Sequence, residues 1–212
     1  MFLGHFAVAL AASRRERQLR LGTSFLAAQW PDAIWPAFLL AGIERVSIVP
    51  GDTAFTPLRF DHYPWSHSLV AVVAWAALFA AVLFVRTRSR MAAALAGALV
   101  VSHWVLDVAS HRPDVPVGPD GPMLGLGLWN SVAATVIVEC MMFVGAVAYY
   151  ARGRAVGKGF WGLVSLLVTI DVANIAGPPP PSVTAIAVSC LVLIPVLVFW
   201  GNRVDGRNPA AA

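Results

Sequence analysis

The chain has 212 residues, of which 58% are hydrophobic and only 12% charged. Charged residues make up about a quarter of a soluble domain, so this composition excludes an ordinary soluble globule. The net charge of +4 sits almost wholly in short loops, where it reads as membrane topology rather than affinity for nucleic acid.

The apolar residues fall in long blocks. In lipid every backbone group needs an internal partner, so spans are helices or a closed barrel. Blocks this uniformly apolar do not suit alternating barrel strands. The first, residues 1–12, precedes a basic run, the reverse of a secretory signal. It is expected to stay attached. As a helix it would reach only about 18 Å, too short to span, so it is expected as an interfacial or membrane-dipping helix. Residues 23–43, 66–85, 91–110, 125–150, 160–176 and 182–200 are each of spanning length. The fifth is the shortest and carries Asp171. The expected fold is therefore all-α, a polytopic membrane bundle of about six transmembrane helices. It forms one integral-membrane domain, with a motif-bearing part over 1–124, three further spans over 125–200 and a tail over 201–212.

Basic residues alternate with the spans. Arg14, Arg15, Arg17 and Arg20 precede the first, and Arg86, Arg88 and Arg90 follow the second. Arg152, Arg154 and Lys158 follow the fourth, and Arg203 and Arg207 follow the sixth. The intervening loops are poor in Lys and Arg. The positive-inside rule puts every basic loop, and the C-terminus, in the cytoplasm. Trp65, Trp129, Trp161 and Trp200 lie near block ends, as interfacial anchors do. Pro178 to Pro181 make a stiff connector. Cys140 and Cys190 lie in apolar blocks without metal-ligand spacing.

All five histidines fall in or beside these blocks. An ionisable group at bilayer depth is costly and usually marks a functional site. Counting helical rise from the basic end puts Asp32 roughly 14 Å in, His103 roughly 18 Å, Asp107 about 24 Å and His67 about 27 Å. His5 comes about 12 Å in if its segment enters the bilayer. His103 and Asp107 are four apart and share a helix face. Such a pair can hold one metal ion, can act as ligand and orienting partner, or can join helices by a hydrogen bond. Asp61, His62 and His111 fall in the outer loops, with Arg59 and Arg112 beside them. Arginine suits bidentate phosphate recognition, and a solvated loop charge is the plainer alternative. Glu139 and Asp171, with Asn130 and Asn174, fall near mid-depth. They extend the site, form a proton path or hydrogen-bond between helices.

The ordered set His5, Pro31-Asp32, Ser66-His67-Ser68 and Ser102-His103 with Asp107 resembles a family of bacterial inner-membrane metal-dependent hydrolases. The order is also similar to that of zinc-dependent phospholipase C enzymes. The chain differs after Asp32, where Ala33, Ile34 and Trp35 stand in place of a second Asp, and it lacks a late His-x-x-x-Glu. The resemblance implies a membrane-embedded hydrolase of a phosphoester or ester of a lipid-like substrate, facing the extracytoplasmic side of the bacterial inner membrane. It implies a divalent metal, zinc first, held by His5, Asp32, His67, His103 and Asp107. Asp61 or His62 would be the general base, and Arg112 and His111 would hold an anionic headgroup. Two alternatives stay open: a permease using the intramembrane His, Asp and Glu residues for ion coupling, and a non-catalytic protein with a structural metal. The lipid bilayer is the expected partner, nucleic acid is not, and an oligomer is open.

Overall fold

The computed structural model describes residues 1–205. It is 69% helical, with nine helices among the described residues. The expected tail lies outside the described residues from 206 onward, and Arg207 with it. In chain order come α1 (Phe2–Arg15), α2 (Leu21–Ala28) and α3 (Trp30–Leu40). A hairpin of β1 (Arg45–Ile48) and β2 (Leu58–His62) follows, then the short α4 (Pro64–His67). The helices α5 (Leu69–Thr87) and α6 (Arg90–Ser110) precede a second small hairpin, β3 (Val115–Pro116) with β4 (Met123–Leu124). A 3-10 turn at Leu128–Asn130 leads into α7 (Val132–Ala151), α8 (Lys158–Ala176) and α9 (Val183–Val204).

The helices α5 to α9 are long and apolar enough to cross a membrane. The chain is a membrane protein built as an all-α bundle. Four of these five begin at a serine: Ser68, Ser89, Ser131 and Ser182 each accept from the amide three residues on. That bond satisfies one orphan N–H of the first turn and fixes the boundary. The block expected over 125–150 begins later because Gly127 takes a left-handed φ of 74° and the 3-10 turn precedes the helix.

The block expected over 23–43 is not one helix. Pro31 has no N–H to continue the ladder, and Gln29 joins α2 to α3 with φ −103° and ψ 14°. This joint places Asp32 in the first turn of α3. The segment 1–12 also departs from an interfacial anchor. Within α1, Leu3, Phe6, Ala7, Ala9 and Leu10 are buried in the main core with Phe25, Val100, Phe143 and Leu167. Glu139 on α7 accepts from the Gly4 amide at 3.2 Å, satisfying an orphan donor of the α1 N-terminus.

At the other end of α1 the basic segments meet. Arg14 donates to the Arg152 carbonyl and Arg20 to the Asn202 carbonyl. Asp205 accepts from the Leu21 amide and the Tyr150 hydroxyl and stands 3.9 Å from Arg154. There α2 crosses α9 at Gly22 and Gly201. A Cβ on Gly22 would run into the Val198 carbonyl, and one on Gly201 would lie 3.1 Å from the Gly22 backbone. Small residues permit such close crossings in membrane bundles.

Candidate metal centre

Five side chains from four elements converge: His5 on α1, Asp32 on α3, His67 on α4, and His103 and Asp107 on α6. Asp107 Oδ1 lies 3.2 Å from His5 Nε2, and its Oδ2 lies 3.1 Å from His103 Nε2 and 4.0 Å from His67 Nε2. Asp32 reaches His67 Nε2 at 3.3 Å and His103 Nε2 at 3.8 Å. The His5 and His103 rings stack with centroids 3.9 Å apart. The Met1 amine is also 3.2 Å from Asp107 Oδ1. Asp32, with 34% of its side chain exposed, is the open side of an otherwise buried cluster.

Two of the three rings are held so that Nε2 points inward, while His5 Nδ1 is buried without a hydrogen-bond partner among the described residues. His103 Nδ1 lies 2.7 Å from the Ala28 carbonyl, at the α2–α3 joint. A carbonyl only accepts, so Nδ1 carries the hydrogen, and in a neutral ring the Nε2 lone pair faces the two carboxylates. His67 Nδ1 lies 2.6 Å from Ser66 Oγ, which lies 2.6 Å from Glu44 Oε2. The serine hydroxyl donates to the carboxylate, and its oxygen accepts from Nδ1–H. Such outer partners set tautomer and ring orientation at metal-binding histidines. Glu44 also accepts from the Trp65 and Ser66 amides. Sequence reasoning missed it, because a single Glu at a loop edge has no spacing signal.

The separations fit two chemistries, a hydrogen-bonded cluster and a metal site. N–H···O hydrogen bonds run about 2.7–3.2 Å, and the His–Asp separations of 3.1, 3.2, 3.3 and 3.8 Å within the two triads begin at the long end of that range. Two ligands each about 2.0–2.1 Å from a tetrahedral zinc stand about 3.3 Å apart, among those separations. His5, His103 and Asp107 bring ligand atoms within 4.8 Å of one another, as do Asp32, His67 and His103. His103 belongs to both groups, and with Nδ1 committed it can serve one ion.

The rim residues divide. His111 is buried rather than peripheral, with Nδ1 2.9 Å from Asp114 and Nε2 4.0 Å from Asp107 Oδ1. The Phe60 and Trp129 rings pack against it. Arg112 is engaged by Asp52 at 2.8 Å and Asp114 at 3.1 Å. Asp61 and His62 do not line the cavity that adjoins the cluster. Asp61 points to the solvent face of the β1–β2 hairpin, bonded to Ser47 and 2.9 Å from Arg59. Its slight desolvation raises its pKa, but the Ser47 hydroxyl and the Arg59 guanidinium prevail and hold it below the usual carboxylate range. That placement does not suit the general base expected of it.

Fold and site together define a helical membrane protein with a buried His/Asp cluster opening on a cavity. No family model, curated protein or solved structure matches the chain.

Proposed function

We propose that the chain is a membrane-embedded, zinc-dependent hydrolase acting on a phosphoester or ester of a lipid-like substrate. The observation that carries this reading is the inward aim of His5, His67 and His103 Nε2 onto Asp32 and Asp107 at 3.1–3.8 Å. The ordered motif resemblance supports it, as does a cavity of about 650 Å³ that includes His5, Asp32, His67 and Asp107 in its wall. Bound zinc supplies a Lewis acid and a water acidic enough to attack at neutral pH. The chain's own part is positional. Ala28 and the Glu44–Ser66 pair hold His103 and His67 in register, and the apolar walls exclude bulk water. Asp32, the more exposed of the two carboxylates, would be the ligand on the open side of the site. Clustered basic segments on one side and the cluster toward the other support an extracytoplasmic site in a bacterial inner membrane, with a cytoplasmic C-terminus. Purified protein assayed against phosphodiester and carboxyl-ester lipids tests the reading. Hydrolysis by wild type, abolished in Asp32→Asn, is expected; no turnover of either class by zinc-loaded protein contradicts it.

One observation favours a permease as the second reading. Glu139 Oε1 and Asp171 Oδ1, on spans α7 and α8, are buried without a hydrogen-bond partner, and ionisable groups inside membrane spans mark ion and proton paths. Ion flux in proteoliposomes that stops in Glu139→Gln and Asp171→Asn would select it.

A further inference from the structure

The last two helices carry none of the cluster residues, yet they wall its cavity. At the basic end they are clamped together. Trp200 Nε1 donates to the Gly159 carbonyl at 3.0 Å, and a Cβ on Gly162 would lie 3.2 Å from the Trp200 ring. Toward the opposite end the two helices are separated by the cavity, with Ile170 and Ala173 on α8 facing Ser189, Leu193 and Leu197 on α9. The wall on α9 runs from Ala185 to Leu197, a rise of about 18 Å. The same cavity includes Asp32 and His67, so cleft and cluster are one continuous space.

We propose that this cleft between α8 and α9 binds a hydrocarbon chain of a membrane lipid whose head lies at the His/Asp cluster. This rests on the hydrolase reading for the head and stands on its own geometry for the chain. The side chains lining the cleft are mainly aliphatic, and an apolar cavity does not hold ordered water. Both walls belong to spans whose outer faces expose Val168, Val172, Val192 and Phe199 to the bilayer. The gap therefore borders lipid, and a chain entering sideways passes from one apolar medium into another. Small side chains, Ala173, Ala185 and Ser189, keep the gap open where bulkier ones would close it.

The test uses the full chain in phospholipid vesicles containing a phosphatidylcholine with a chain-terminal diazirine. After illumination, labelled peptides are mapped by mass spectrometry. Ile170 on α8 and Leu193 on α9 line the cleft and are partly exposed, so a chain lying in it can reach them, and the plugged variants separate that label from bulk lipid. The expected result is label at Ile170 or Leu193 that is lost in Ser189→Trp and in Ala173→Phe, two plugs on opposite walls. Label at Phe199, on the outer face, stays unchanged and reports that each variant is folded. Label confined to outer-face residues, or cleft label that survives both plugs, overturns the proposal. Zinc content measured on the same samples judges the hydrolase reading separately, because the plugs touch no cluster residue.

Discussion

At the scale of single residues the cluster depends on side chains that never face its centre. Glu44 and Ser66 act through His67, and the Ala28 carbonyl acts through His103. Replacing partners of this kind costs about 10- to 100-fold in metal affinity. Ser66→Ala is therefore expected to weaken zinc binding by about that factor in a chelator competition, with folding retained. Asp61→Asn is expected to leave zinc affinity unchanged. The reverse pattern would return Asp61 to the site and remove the relay. The His103–Asp107 pair was legible because four residues of helix put both on one face. Asp61 is close to His62 and His67 in sequence, which says nothing of its distance from the cluster in space. In the β1–β2 hairpin successive side chains alternate, and Asp61 shares its face with Arg59, not with the cluster. Glu44 was invisible because its role arises only when the hairpin folds back over α4.

Among the elements, α1 and the α2–α3 joint do most to build the site. Periodicity and length marked residues 1–12 as too short to span, which is correct for a crossing but silent on burial. A short helix can still lie inside a bundle when its neighbours enclose it, and α1 brings His5 to Asp107 in this way. Its N-terminus depends on Glu139. In Glu139→Ala the Gly4 amide loses its acceptor, at an expected cost of about 1–3 kcal/mol, measurable as earlier thermal unfolding in detergent. An unchanged unfolding temperature would contradict that role. The α2–α9 crossing tolerates no side chain at Gly22, where an added Cβ meets the Val198 backbone. Gly22→Val is expected to destabilise by about 3 kcal/mol and to lower the yield of folded protein. Pro31 announced a break in the first block, but its use did not follow from sequence. The break leaves the Ala28 carbonyl available to His103, a contact 75 residues away in the chain.

For the whole molecule, composition and block length were enough to expect an all-α membrane bundle, and the structure has that form. The two hairpins were not foreseen, since short strands between apolar blocks carry little periodic signal. The orientation proposed from the basic loops is tested by cysteine labelling in a background with Cys140 and Cys190 replaced by alanine. Asp120→Cys is expected to react with an impermeant maleimide from outside intact cells and Arg88→Cys only after lysis; the opposite result would invert the topology. In the proposed centre the bundle brings five candidate ligands from four elements to one point. Metal analysis of the purified protein, with and without His103→Ala, tests that most directly. Wild type is expected to retain about one zinc per chain through gel filtration, with His103→Ala folded but empty. A wild type that holds no stoichiometric metal, or a His103→Ala protein that holds as much, would contradict it.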